Sequence, residues 1–121
     1  MATKKSDRQK VYTKYGCRCA YCGNAIKDIS DMQVDHVVPK IREKLNLAKN
    51  LDSLDNYNPS CRRCNHYKRA NSLETFREYL MTIQSRLRND YLFKVAEDYG
   101  IVGVIPFDGV FYFERCEKEV E

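Results

Sequence analysis

Two short segments of this chain share one spacing: Cys19-Ala20-Tyr21-Cys22 and Cys61-Arg62-Arg63-Cys64. A structural zinc site takes four soft ligands in tetrahedral geometry, and proteins often supply them as two such C-x-x-C pairs. Ordinary buried thiols are the competing explanation, because free cysteine is frequently buried. Two correctly spaced pairs favour zinc, so the sequence predicts a structural zinc site with these four cysteines as ligands.

The composition is that of one small globular protein. A chain of 121 residues is short for a second hydrophobic core, and 43% hydrophobic with 31% charged residues is ordinary for a folded domain. We therefore expect a single domain over 1–121. No apolar stretch resembles a signal peptide or a membrane span, so we expect a reducing cytoplasm and no membrane partner. In that compartment, paired cysteines indicate a metal site rather than disulfides.

Local patterns predict a small α+β fold. A basic helix is expected over 6–15, with Ser6 as its N-cap and Gly16 as its stop. A short strand is expected over 32–38, since the segment alternates weakly and ends before Pro39. Asn58 and Pro59 are expected to start a turn, and a helix is expected over 61–70.

The C-terminal part is predicted to hold two helices and a β-hairpin. Apolar residues at three- and four-residue steps predict a helix over 72–87, and a second helix is expected over 90–99 with Gly100 past its end. The runs on either side of Phe107-Asp108-Gly109 predict a hairpin over 101–115.

The dipeptide Asp35-His36 lies between the two cysteine pairs. Hydrolysis of a phosphodiester needs an activated water, and a divalent cation can stabilise the phosphate and the leaving group. A neutral histidine can accept the proton of water near pH 7, and a carboxylate suits a hard cation such as magnesium. Neighbouring side chains on a strand point to opposite faces, so cooperation of Asp35 and His36 needs a bend near Pro39 or a distortion.

The ordered combination of these motifs resembles the HNH endonuclease family, which has the ββα-metal fold. The resemblance covers about 17–69 and is far more specific than any single motif. It is carried by Cys19-Ala20-Tyr21-Cys22-Gly23, Val34-Asp35-His36-Val37-Val38-Pro39, Leu54-Asp55-Asn56 and Cys61-Arg62-Arg63-Cys64-Asn65-His66-Tyr67-Lys68. It implies an HNH core over 17–69 with structural zinc, followed by a helical and hairpin extension over 72–121.

The resemblance also implies roles for the motif residues. His36 corresponds to the general base of the family, and Asn56 to the asparagine that steadies the histidine loop. Asp35 and Asn65 correspond to the ligands of the catalytic cation, Mg²⁺ or another divalent ion such as Mn²⁺. His66 is the alternative to Asn65, because some members use histidine there; adjacent helical residues diverge by about 100°, which favours only one of them.

Basic residues near these motifs imply a DNA partner. The resemblance assigns a phosphate contact to Lys68, three residues after the metal-binding asparagine. The other basic side chains could hold the DNA backbone, with salt-sensitive affinity and little sequence information. These predicted contacts are Lys40, Arg62, Arg63, Lys68 and Arg69. The expected substrate is double-stranded DNA, recognised with low intrinsic sequence specificity by a monomer or a dimer.

The sequence therefore favours a metal-dependent DNA endonuclease or nickase, working in the cytoplasm of a bacterial or phage-infected cell. The alternative is a zinc-stabilised nucleic-acid-binding protein whose HNH-like site is inactive. A third hypothesis is an adaptor held together by zinc. Asp35, His36, Asn56 and Asn65 together favour the enzyme. The segment 40–53 departs from the family because it lacks the Gly-Gly turn found in many members.

Overall fold

The computed structural model describes residues 4–119, and it describes side chains as far as residue 117. It shows a small mixed α+β fold, which confirms the predicted fold class. Seven helices and two strands follow one another along the described chain: α1 (Lys5–Thr13), β1 (Gln33–His36), α2 (Ile41–Lys44), β2 (Tyr57–Ser60), α3 (Arg62–Lys68), α4 (Leu73–Met81), α5 (Ile83–Arg88), α6 (Tyr91–Asp98) and α7 (Tyr112–Glu119).

The described chain divides into two compact units. The first unit runs to Leu73 and resumes at Phe111, so it holds both strands, α1 to α3 and α7. The second unit is Glu74–Val110, which holds most of α4 together with α5 and α6. The existence of one folding domain over 1–121 stays a prediction. No helix in the described part of the chain is long and apolar enough to cross a membrane.

The first unit is organised around the antiparallel pair of β1 and β2. In their register, Asp35 stands opposite Asn58 and His36 opposite Tyr57. The predicted strand is therefore present with narrower bounds, but the turn predicted at Asn58 and Pro59 is wrong. Pro59 cannot donate to a ladder, yet a two-stranded sheet has only edge strands, where proline is tolerated. β2 is buried along its whole length and leads directly into α3, completing the ββα core.

The segment with the first cysteine pair folds back onto β2. The amide of Ala20 donates to the carbonyl of Pro59 at 2.8 Å, and the amide of Gly23 donates to the carbonyl of Cys19 at 3.0 Å. Gly23 has φ +79°, a left-handed conformation that favours glycine. A Cβ at Gly23 would also lie 3.1 Å from the ring of Tyr112. The tight turn that starts at Cys19 and ends at Gly23 therefore depends on glycine at this position.

The predicted hairpin over 101–115 is wrong. Residues 101–110 form no strand in the described chain, and Tyr112–Glu119 forms helix α7. Gly109 does adopt a positive φ of +85°, as a turn requires. However, the Glu114 carboxylate accepts the amide of Phe111 at 2.9 Å, a contact of the kind that caps the start of a helix.

Phe111 and Phe113 pack on the segment that carries the first cysteine pair. The ring of Phe111 lies edge-to-face with Tyr21 at 5.3 Å between centroids, and the ring of Phe113 does so at 6.0 Å. The amide of Phe113 donates to the carbonyl of Ala20 at 2.8 Å. These contacts bury both phenylalanines in the first unit.

Two of the predicted helices also differ from the structure. Helix α1 starts at Lys5 with Lys4 at its N-cap, so Ser6 is not the cap. The helix expected over 72–87 is two helices, α4 and α5, which are separated by Thr82, where the hydroxyl donates to the carbonyl of Tyr79 at 2.7 Å. Helix α6 is close to its predicted bounds, with Asp90 capping the amide of Phe93. Four helices, not two, therefore follow residue 72 in the described chain.

Candidate metal centre and active site

The two cysteine pairs meet in the first unit. The sulfurs of Cys19, Cys22, Cys61 and Cys64, here called the cysteine cluster, all lie within 4.8 Å of one another. Cys22 Sγ and Cys61 Sγ are 3.9 Å apart. Sulfurs bound tetrahedrally at about 2.3 Å from zinc are roughly 3.8 Å apart, so the cluster fits zinc with only a small contraction. In the described residues, no other group of three or more His, Cys, Asp or Glu side chains could hold a metal ion.

Contacts among three thiols of the cysteine cluster, Cys19, Cys22 and Cys64, shift their pKa values. Hydrogen bonds from Cys22 and Cys64 lower the pKa of the Cys19 thiol well below its usual range. The same bond to Cys19 raises the pKa of Cys22 to about 11, and contact with Cys19 also raises the pKa of Cys64. Cys22 and Cys64 therefore retain protons that a metal must displace. This is expected for a site whose metal affinity depends on thiolate ligands.

The start of α3 is fixed by the cysteine cluster. Cys61 occupies the N-cap position, and its sulfur accepts the amide of Cys64 at 3.4 Å. The helix then runs to Lys68, whose side chain has no exposed surface. Cys61 and Cys64 are thus predicted zinc ligands and also form the N-terminal cap of α3. The same helix carries Asn65 and Lys68.

Asp35 lies in the core between Tyr21 and Lys68. The Lys68 ammonium is 3.2 Å from Asp35 Oδ2 and donates to Oδ1 at 3.3 Å, while the Tyr21 hydroxyl donates to Oδ2. Burial raises the pKa of the Asp35 carboxyl, and the Lys68 charge and the Tyr21 hydroxyl offset part of that rise. Burial and the Asp35 carboxylate raise the pKa of Tyr21, which keeps this hydroxyl protonated as a donor.

This position does not fit two roles that the sequence suggested. Lys68 is fully buried and also donates to the carbonyl of His36 at 3.1 Å, so it is not placed to contact a phosphate at the surface. Both oxygens of Asp35 already have partners, and only 4% of the residue is exposed. An ammonium beside a carboxylate repels a second cation there. Asp35 is therefore not available as a metal ligand in this arrangement.

His36 lies on the other face of β1. Its side chain is 28% exposed, and its ring packs edge-on against Tyr57 with 5.2 Å between centroids. His36 Nε2 is 2.8 Å from Oδ1 of Asp52. Strand alternation thus sends Asp35 inward and His36 outward, and nothing in the four residues of β1 brings the two side chains to one face.

Asn56 ties together the two ends of the segment between the strands. Its Oδ1 accepts the amide of Val38 at 2.9 Å, and its Nδ2 donates to the carbonyls of Val38 and Leu51, both at 3.0 Å. These bonds hold the chain just after His36 and just before Asp52. The role of Asn56 in steadying the histidine loop stays a prediction.

Sequence reasoning missed Asp52. Its Oδ2 pairs with the Lys40 ammonium, which also lies 3.2 Å from Glu43. The bond from Lys40, followed by that from His36, lowers the pKa of Asp52 to about 2. In the sequence, Asp52 is only one acidic residue in the glycine-free segment 40–53. No spacing rule connects Asp52 to His36. The predicted DNA contact Lys40 is thus engaged in ion pairs, with 40% of its side chain exposed.

The remaining predicted DNA contacts lie at the surface. Arg62 and Arg63 are exposed in the first turn of α3, and Arg69 is exposed just after its end. Asn65 is half-buried and His66 is exposed on the same helix. The arginines are therefore placed where a phosphate backbone can reach them.

Comparison with known proteins agrees with this geometry. The family model described as HNH endonuclease matches residues 19–71, a segment that contains the cysteine cluster, both strands and α3. The resemblance inferred from the motifs is confirmed: residues 19–71 carry an HNH endonuclease domain, which supports a nuclease-type function. Neither a search of curated proteins nor a search of solved structures gives a significant match.

The buried ion pair gives a stability prediction. Lys68→Met leaves the Asp35 carboxylate buried without its charge partner, so we expect a loss of about 3–5 kcal/mol in the free energy of unfolding. Removing both charges in Lys68→Met/Asp35→Asn should recover most of that loss. Urea denaturation at constant zinc measures it, with Lys27→Met at an exposed site as the matched control. Equal stability of Lys68→Met and the control would contradict the burial of Lys68.

Proposed function

We propose that this protein is a DNA endonuclease or nickase in which His36 is the general base for phosphodiester hydrolysis. The observation that carries the proposal is the position of His36: it is partly exposed on the outer face of β1, within a matched HNH domain. The Asp35–Lys68 pair lies on the opposite, buried face of that strand. A histidine held this way can reach both water and a phosphate at the surface.

The chemistry of His36 follows from its exposure. A neutral imidazole that water can reach accepts a proton from a water that attacks phosphorus. Asn56 fixes the backbone directly after this histidine, so the imidazole is carried by a rigid segment. General-base catalysis of this kind contributes about 10²- to 10⁴-fold to a rate.

Metal dependence is a further part of the proposal, supported by the family match. A divalent cation supplies charge stabilisation for the phosphate and the leaving alkoxide. The ligands suggested by the motifs are Asp35 and Asn65, with His66 as the alternative. Because Lys68 and Tyr21 both bind the carboxylate of Asp35, the combination of Asp35 and Asn65 does not fit the cation as arranged here. Plasmid nicking with and without a divalent metal tests the metal requirement.

DNA is the proposed substrate because of the exposed arginines beside the core. In this proposal the DNA phosphate backbone contacts Arg62, Arg63 and Arg69. Such contacts position a duplex without reading its sequence. One copy carries one His36, so a single monomer nicks one strand and a double-strand cut needs a second active site. We place this activity in the cytoplasm of a bacterial or phage-infected cell.

A second candidate function is zinc-stabilised DNA binding without cleavage. The ion pair between Lys68 and Asp35 favours it, because the carboxylate suggested for the catalytic cation is occupied by an ammonium. This candidate predicts that DNA is retarded in a gel while remaining intact with every divalent metal.

The first test is plasmid nicking with and without His36. Zinc-loaded protein with Mg²⁺ or Mn²⁺ should convert supercoiled plasmid to open circles, and His36→Ala should reduce the rate by about 10²- to 10⁴-fold. Gln33→Ala on the same strand is the control, and each variant is checked for zinc content and unfolding temperature. Nicking that survives His36→Ala in folded protein would overturn the proposed base. Retardation without nicking by the wild type would favour the second candidate.

The second test measures salt dependence of DNA binding. Arg62→Ala/Arg63→Ala should weaken binding to all duplexes alike and reduce the slope of log K against log salt by about 0.9 for each phosphate that the protein no longer neutralises. Lys27→Ala/Lys94→Ala removes the same charge at exposed sites outside α3. A slope that changes equally in both double variants would show that net charge, not the arginine position, governs binding.

A further inference from the structure

We propose that Asp52 is a positioning residue that fixes the orientation and tautomer of His36, an inference that rests on the proposed function. The bond between Asp52 Oδ1 and His36 Nε2, at 2.8 Å, is the central observation. An ionised carboxylate only accepts hydrogen bonds, so Nε2 must carry the hydrogen. In the neutral ring, the lone pair then lies on Nδ1, and Nδ1 is the nitrogen that accepts the proton of water.

The surroundings keep Asp52 ionised and in place. Its second oxygen accepts from the Lys40 ammonium, and the hydroxyl of Tyr57 lies 3.4 Å from the oxygen that faces His36. Asn56 fixes the preceding residue through the carbonyl of Leu51. The carboxylate is therefore held by a cation on one side and by a fixed backbone on the other.

Tyr57 restrains the imidazole from a second direction. Its ring packs edge-on against His36 across the strand pair, with an interplanar angle of 83°. Tyr57 packs against the imidazole and Asp52 bonds one nitrogen of it, so together they limit rotation of the ring. A carboxylate that orients a histidine and selects its tautomer is a recurring device in catalytic and metal sites. Here Asp52 is 42% exposed, so its effect is expected to be smaller than that of a fully buried partner.

The same contact has an opposite interpretation, in which Asp52 and Lys40 hold their segment over His36 and block it. The two interpretations predict opposite changes in rate when the carboxylate is removed. Positioning predicts slower turnover, and blocking predicts faster turnover, with tighter DNA binding if Lys40 is released.

The experiment compares Asp52→Ala with Asp55→Ala, which removes an exposed aspartate nearby. Long-range ¹H–¹⁵N spectra of the imidazole, recorded where the ring is neutral and assigned with His36→Ala, report the tautomer directly. We expect the Nε2–H form in the wild type and in Asp55→Ala, and a mixture in Asp52→Ala. For nicking, kcat should fall about 10- to 100-fold with KM for DNA nearly unchanged, and Asp52→Glu should restore part of it.

The outcomes separate this inference from the proposed function. An inactive wild type that shows the Nε2–H form, with a mixture of tautomers only in Asp52→Ala, would remove the nuclease proposal but retain the positioning by Asp52. An unchanged tautomer and unchanged kcat in Asp52→Ala would overturn the inference while leaving nicking by His36 intact. A rise in kcat would also overturn it, in favour of the blocking interpretation.

Discussion

The structure depends on one constraint: four sulfur atoms from two distant segments must meet at one point. A small domain has little core to stabilise it, so a metal held by these thiolates contributes directly to folding. Meeting this constraint places Tyr21 beside β1 and fixes the first turn of α3 at Cys61. Because α3 starts at a fixed point, its last residue, Lys68, arrives under the strand pair. The cysteine cluster therefore sets the position of residues that are not predicted to bind zinc.

The buried contacts among Tyr21, Asp35 and Lys68 determine which face of β1 points toward the core. A buried ion pair costs desolvation, and its benefit is greatest when it selects one arrangement among several. A shift of β1 by one residue would exchange its faces and leave Lys68 without a carboxylate. Asp35 must therefore point inward, and His36, its neighbour, must point outward. In this account the exposure of the proposed base follows from the burial of the residue before it.

Much of this arrangement could be predicted from the sequence, because the signals are local. The spacing of the cysteine pairs, the strand around His36 and the helix after Cys61 need only a few neighbouring residues. The rest depends on contacts between distant segments. Pro59 becomes part of a strand only because β1 pairs with it, and Glu114 starts a helix where β-rich residues predicted a hairpin. The contact of Asp52 with His36 likewise depends on the path of a segment that no motif describes.

In the proposed function, zinc holds His36 in the position that catalysis needs and takes no part in the chemistry itself. One titration tests it most directly: a zinc-selective chelator is added at fixed magnesium concentration, and zinc content and plasmid nicking are measured in the same samples. The account predicts that nicking falls in proportion to bound zinc, does not recover with more magnesium, and returns when zinc is restored. Undiminished nicking by protein that has lost its zinc would contradict the account.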